Sequence, residues 1–88
     1  MIEKEVIIKN KAGMHTRPAS LLVKLASKFK SDFYIIKKGF QINGKSIIGV
    51  MSLAAEFGSK LVLRFDGTDE DRASKEITNF FDEGFGEM

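Results

Sequence analysis

The amino-acid sequence predicts an α+β fold in which a four-stranded sheet carries three helices on one face. Stretches rich in β-branched and aromatic residues, typical of strands, alternate with stretches whose apolar residues recur every three or four positions, typical of helices. Breaks containing glycine or asparagine separate them and give the order β-α-β-β-α-β-α. Because the apolar face of the strands must be covered, we expect the helices to pack on that side of the sheet.

Each element has its own local signal. Residues 2–9 partly alternate between polar and β-branched side chains. In residues 18–29 the apolar spacing becomes helical, and Pro18 suits a first turn, where its missing N–H would be unpaired anyway. The T-x-x-D motif at residues 68–71 resembles a capping box that opens a last helix, which Gly84 would end. The remaining predicted elements are strands at 33–37, 40–42 and 60–65 and a short helix at 47–53.

Length and composition predict one globular domain across residues 1–88. Hydrophobic residues make up 43% of the chain and charged residues 30%, which favours a folded chain over a disordered one. With no cysteine and one histidine, disulfides, thiolate metal sites and cysteine nucleophiles are excluded, and we expect no metal and no cofactor. No apolar run approaches the roughly 18 residues of a membrane helix. The N-terminal residues carry no secretory signal pattern, so we expect a cytoplasmic protein without membrane insertion.

The charge is unevenly distributed. Residues 1–66 carry twelve Lys and Arg against five Asp and Glu, whereas residues 67–88 carry two against seven. The basic part is suited to acidic partners, although an ordinary solvated surface explains the same counts equally well.

The only histidine, His15, lies where the first helix is predicted to begin, in the segment G-M-H-T-R-P-A-S at residues 13–20. Gly13 allows close approach of the backbone, and the free N–H groups of the first turn, at Thr16 and Arg17, form an anion site. The guanidinium of Arg17 adds a donor fork suited to phosphate oxygens. A nucleophilic imidazole beside an anion site is what reversible phosphorylation of nitrogen requires, although a lone histidine at a helix start is more often an ordinary surface or capping residue.

The short helix predicted at residues 47–53 is more apolar than its length needs. Val50 is expected to pack on the sheet, which leaves Ile47, Ile48 and Met51 as an exposed patch for a partner, and Met14 is expected to extend it. Ser46 is placed to cap this helix. Phosphorylation of Ser46 would add roughly two negative charges beside the patch and would change association more than stability.

Residues 39–46 also satisfy the nucleotide-binding pattern G-x-x-x-x-G-K-S. We do not interpret them as a phosphate loop, because residues 40–42 are predicted to form a strand and no strand–loop–helix unit of sufficient length surrounds them.

Two motifs, G-M-H-T-R-P-A-S at residues 13–20 and N-G-K-S-I-I-G-V-M-S-L-A at residues 43–54, resemble those of the HPr family, the histidine-containing phosphocarriers of the bacterial sugar phosphotransferase system. The resemblance extends over essentially the whole chain. It implies an open-faced β-sandwich with an antiparallel sheet. It further implies that His15 accepts phosphate through Nδ1 and that Arg17 steadies it. Thr16 stands where alanine is common, a mild departure.

The resemblance also implies the partners. These are enzyme I, charged by phosphoenolpyruvate, the IIA components of sugar permeases, an HPr kinase/phosphorylase acting on Ser46, and a transcriptional regulator. We expect a monomer that is a carrier and not an enzyme. The expected partner interface comprises Met14, Ser20, Lys24, Ile47, Ile48 and Met51.

Three other functions are compatible with parts of the sequence. A carrier serving nitrogen-linked regulation would share the chemistry of His15. A regulatory interaction module would use only the apolar patch, but the presence of both His15 and Arg17 favours the carrier. A nucleic-acid binder would need aromatic side chains on an exposed strand face, and only Phe33, Tyr34 and Phe40 lie near such positions. We therefore expect no nucleic-acid partner.

Overall fold

The structure, a computed structural model, describes residues 1–87 of the chain. It contains four strands and three helices in the predicted order, followed by one short 3-10 turn. In chain order they are β1 (Ile2–Ile7), α1 (Thr16–Ala26), β2 (Asp32–Lys37), β3 (Phe40–Asn43), α2 (Ile47–Ser52), β4 (Lys60–Asp66), α3 (Glu70–Asp82) and the turn Gly84–Gly86.

The strands form one antiparallel sheet in the order β1-β4-β2-β3. Ile35 of β2 lies opposite Leu63 of β4 on one side and Ile42 of β3 on the other. Side chains alternate between a buried face, which the helices cover, and a more exposed face on the opposite side. This confirms the predicted open-faced sandwich.

The buried face of the sheet and the inner faces of the helices share one continuous hydrophobic core. At its centre the rings of Phe33 and Phe65 stack with centroids 5.0 Å apart. The predicted helical faces supply Leu22 and Ala26 from α1, and Ile77 and Phe81 from α3.

One helix start agrees with the sequence prediction and one differs. Helix α1 begins at Thr16 with His15 as its N-cap residue, so Pro18 lies in the first turn as expected. The capping box at residues 68–71 was wrong: α3 begins at Glu70 with Asp69 as its N-cap residue, and the Asp69 side chain makes no cap hydrogen bond. Its carboxylate instead binds the segment that follows α1.

The G-x-x-x-x-G-K-S pattern is not a phosphate loop, as expected. Residues 40–43 form β3, and the Gly44 N–H donates to the carbonyl of Phe33 at 2.7 Å. The Lys45 ammonium, which would have to reach a phosphate, donates to the carbonyl of Phe29 at 2.7 Å. In residues 1–87 none of the helices has the length and apolar character needed to cross a membrane.

Candidate functional site

A tight turn at residues 10–13 brings the chain into α1. The Gly13 N–H donates to the Asn10 carbonyl at 3.1 Å, and the Asn10 side-chain amide donates back to the Gly13 carbonyl at 2.8 Å. Gly13 has φ +72°, and a Cβ there would lie only 2.8 Å from the carbonyl oxygen of Ala55. The turn therefore requires glycine at this position, both for conformation and for space.

His15 is the N-cap residue of α1. Its backbone is extended (φ −117°, ψ −174°), and its carbonyl accepts the first helical hydrogen bond, from the Ala19 N–H at 3.0 Å. Helix geometry leaves the N–H groups of Thr16 and Arg17 without an intrahelical carbonyl, and the helix dipole makes this end attractive to anions. The His15 side chain is 42% exposed. A nucleophilic ring, two unpaired amides and a cation thus lie within three consecutive residues.

The structure adds a residue that the sequence reasoning missed. The carboxylate of Glu87 lies 3.1 Å (Oε2) and 3.3 Å (Oε1) from Nε2 of His15, and its Oε1 also accepts from the Asn10 amide at 2.7 Å. The Asn10 hydrogen bond is the largest cause lowering the Glu87 pKa, with the His15 contact contributing in the same direction. Nε2 therefore faces this carboxylate, whereas Nδ1 makes no contact with it.

Arg17 occupies the first turn of α1, and its side chain is exposed. Within residues 1–87 no carboxylate forms an ion pair with its guanidinium, and its charge is one of the smaller causes lowering the Glu87 pKa. The guanidinium is therefore accessible to an anionic group close to the site. The described residues bring no three His, Cys, Asp or Glu side chains together in a way that suits a metal ion.

The apolar patch, defined as Ile47, Ile48 and Met51, lies on the outer side of α2. Ile48 is 80% exposed, the other two are partly exposed, and Val50 on the inner side is fully buried, as expected. The Ser46 hydroxyl accepts a hydrogen bond from the Gly49 N–H at 3.1 Å, which confirms the predicted cap.

Two further residues of the expected interface, Ser20 and Lys24, are exposed on α1, which packs against α2. Met14 is different. It is only 7% exposed and belongs to the hydrophobic core, so the expectation that it extends the exposed patch is wrong. The turn at residues 10–13 and the hydrogen bond from the Met14 N–H to the Ala55 carbonyl, at 2.8 Å, direct this residue inward.

Comparison with known protein families shows which family the chain belongs to. Residues 2–83 match the family model described as the PTS HPr component phosphorylation site. The chain belongs to the HPr family. HPr proteins are phosphocarriers of the phosphotransferase system, carriers rather than catalysts in themselves.

Individual relatives match this chain over nearly its whole length. The phosphocarrier protein HPr of Xylella fastidiosa is 42% identical over 87 residues, covering 99% of this chain and 98% of the relative. The HPr-like protein Crh of Halalkalibacterium halodurans is 43% identical over 82 residues, covering 93% and 98%. The crystal structure of HPr-C-His from Thermoanaerobacter tengcongensis superimposes with a TM-score of 0.96 at 42% identity, covering 100% of this chain and 99% of that one.

Proposed function

We propose that this HPr-family chain accepts a phosphoryl group on Nδ1 of His15 from phosphorylated enzyme I, which phosphoenolpyruvate has charged, and passes it to the IIA components of sugar permeases. The observation that carries the proposal is the half-exposed imidazole at the N-cap of α1, with Nε2 held by Glu87. An incoming donor can reach the ring, and Nδ1 is the nitrogen not already engaged by that carboxylate.

The residues around His15 support transfer by positioning and charge stabilisation. In phosphoryl transfer the attacking and leaving atoms lie in line with phosphorus, and charge spreads over the three equatorial oxygens. The N–H groups of Thr16 and Arg17 and the Arg17 guanidinium are donors suited to those oxygens. Neither a metal nor a cofactor is needed in this scheme.

The apolar patch, together with Ser20 and Lys24, is the surface that we assign to partner docking. Three partly or largely exposed apolar side chains on one six-residue helix do little for the fold, because only Val50 of α2 is buried. The lysine at position 24 adds a positive charge to this side of the molecule, which suits acidic partners such as we expect enzyme I and the IIA components to present.

Ser46 is our candidate for regulation by an HPr kinase/phosphorylase. Its hydroxyl caps α2 and directly precedes Ile47 in the chain. A phosphate there would be tolerated by the helix N-terminus but would place negative charge beside the docking patch. A transcriptional regulator that reads the phosphorylated form is part of the same proposal, as are a monomeric state and a cytoplasmic location.

A regulatory role without transfer is the second candidate, because one of the relatives is the HPr-like protein Crh. Incubation with enzyme I and labelled phosphoenolpyruvate separates the two. We expect acid-labile label on the wild-type chain, none on His15→Ala, and slower labelling of Arg17→Ala. If the wild type stays unlabelled under conditions that label another HPr, the result would favour the regulatory module. If the label passes to nitrogen-related rather than sugar-specific IIA components, the chain would belong to the nitrogen branch.

A further inference from the structure

We propose that Glu87 is a positioning residue for His15: it accepts the Nε2–H proton in a hydrogen bond, fixes the ring tautomer and thereby keeps the lone pair on Nδ1. This inference rests on the proposed function. Glu87 lies outside residues 2–83, the part of the chain that matches the HPr family model.

The first support is the geometry of the pair. Both carboxylate oxygens lie within hydrogen-bond distance of one ring nitrogen, and 72 positions separate the two residues in sequence. The Glu87 side chain is only 18% exposed. An ionised carboxylate can accept hydrogen bonds but cannot donate them, so a neutral ring that is hydrogen-bonded to it must carry its proton on Nε2.

The second support is the hydrogen bond from Asn10 that holds the Glu87 carboxylate in place. The buried side chain of Asn10 donates through Nδ2 both to Oε1 of Glu87 and to the Gly13 carbonyl. Because the Gly13 carbonyl can only accept, the amide cannot rotate by half a turn without losing that bond. Asn10 therefore offers Glu87 a fixed donor, and the turn that precedes His15 also sets the position of its partner.

The third support is the turn at residues 84–86, which is packed on α3 and places Glu87 beside His15. After α3 the chain turns at residues 84–86, and the Glu87 N–H donates to the Gly84 carbonyl at 3.0 Å. Phe85 is buried and makes edge-on contacts with the rings of Phe80 and Phe81, with centroids 5.3 and 4.9 Å away. The segment that carries Glu87 is thus packed on α3 and does not hang freely in solvent.

In the proposed phosphoryl transfer, the Glu87 carboxylate would stabilise the charge that develops on the His15 ring. In the transfer step the Nδ1 lone pair forms a bond to phosphorus while the bond from phosphorus to the phosphorylated residue of enzyme I breaks, and the leaving atom of that residue keeps the electron pair. The proton on Nε2 stays where it is, so the product ring is a cation. Glu87 faces that developing charge and stabilises it, as carboxylate partners do for other reactive imidazoles.

The test compares Glu87→Gln with Glu87→Ala. In Glu87→Gln, Asn10 retains the side-chain oxygen as its acceptor, so the new amide NH2 faces Nε2 and favours the wrong tautomer, with the proton on Nδ1. In Glu87→Ala the ring relaxes to its solution mixture. We expect phosphorylation by enzyme I to slow by about 10-fold to 100-fold in Glu87→Gln, by analogy with loss of the hydrogen-bond partner of a metal-bound histidine, and less in Glu87→Ala. Glu87→Asp should recover part of the rate.

The decisive readout does not involve transfer. Nitrogen-15 NMR of the His15 ring at about pH 8, where an ordinary imidazole is neutral, reports which nitrogen carries the proton. We expect the Nε2–H form in the wild type and a shift towards the Nδ1–H form in Glu87→Gln. Glu83→Gln, the same change on an exposed residue of the same segment, should alter neither tautomer nor rate.

The outcomes separate the two levels of the account. An unchanged tautomer and rate in Glu87→Gln and Glu87→Ala, with the wild type still labelled on His15, would overturn the role of Glu87 alone. A loss of stability in both variants without a tautomer shift would make Glu87 a structural anchor and contradict the inference. Label that persists in His15→Ala would instead contradict the proposed function.

Discussion

The carboxylate of Asp69 binds the buried Ser31. Its Oδ1 accepts from the hydroxyl and from the backbone N–H of Ser31, the latter at 2.9 Å, while Oδ2 accepts from the Lys30 N–H at 2.9 Å. The N-cap residue of α3 thus ties down the segment between α1 and β2. These bonds, the Ser31 hydroxyl first and the Lys30 N–H next, lower the pKa of Asp69 to about 2.

This tie predicts a specific acid sensitivity. Because the folded state favours ionised Asp69, its contribution to stability is complete above the ordinary aspartate pKa of 3.8 and is lost as the pH falls towards about 2. We expect Asp69→Asn to be less stable than the wild type at pH near 5, with the gap narrowing towards pH 2. Urea unfolding over this range measures it. Asp71→Asn, on an exposed position of the same helix, is the control, and a gap that stays constant with pH would contradict the assignment.

Gly13 allows a second prediction with a matched control. An alanine at residue 13 is strained at φ +72° and also places its Cβ 2.8 Å from a backbone carbonyl, whereas an alanine at Gly58 is strained at φ +85° with no atom within 4 Å. We expect Gly58→Ala to lower the free energy of unfolding by about 1 kcal/mol and Gly13→Ala by about 2–3 kcal/mol. If denaturant unfolding showed equal losses of stability for Gly13→Ala and Gly58→Ala, the turn at residues 10–13 would accommodate the added Cβ without an additional loss of stability.

The apolar patch predicts an effect on association without one on stability. Ile48 is so exposed that Ile48→Ala should change the free energy of unfolding by less than about 0.5 kcal/mol. If the patch docks partners, the KM of enzyme I for this variant should rise several-fold. Ile7→Ala, at a partly exposed position on β1, is the control for association and should leave the KM unchanged. A wild-type KM for Ile48→Ala would remove Ile48 from the interface.

Ser46 predicts opposite effects of two substitutions. Ser46→Ala removes the oxygen that accepts from the Gly49 N–H, so we expect a loss of about 1 kcal/mol in stability and unchanged association. Ser46→Asp keeps a capping oxygen but adds negative charge, so stability should stay near the wild-type value while phosphorylation by enzyme I slows. Should both variants transfer phosphate at the wild-type rate, the regulatory role of Ser46 would have no support.

Local patterns in the sequence were sufficient to predict the fold and to place His15, Thr16 and Arg17 together in the candidate site. The helical spacing of Leu22 and Ala26 and the clustering of β-branched residues in strands each reflect burial on one face, which is a short-range property. Likewise His15, Thr16 and Arg17 are consecutive, so a helix that starts there brings them together without any knowledge of the rest of the chain.

What the sequence did not reveal depends on distant contacts. Glu87 reaches His15 only because the turn after α3 packs on that helix, and no spacing rule connects two residues 72 positions apart. Asp69 is the N-cap residue of α3, but its carboxylate binds Ser31, 38 positions away in the sequence, which a local T-x-x-D motif does not indicate. Met14 lies in a loop where a single apolar residue has no periodicity, so its direction depends on the Gly13 turn.

The most direct measurement of the central claim is NMR of the chain labelled with nitrogen-15 in histidine, after phosphorylation by enzyme I and phosphoenolpyruvate. The account predicts one phosphorus-31 resonance coupled to Nδ1 of His15, with the proton retained on Nε2 beside Glu87. Phosphorus coupled to Nε2, or an acid-stable phosphate on another residue, would contradict it.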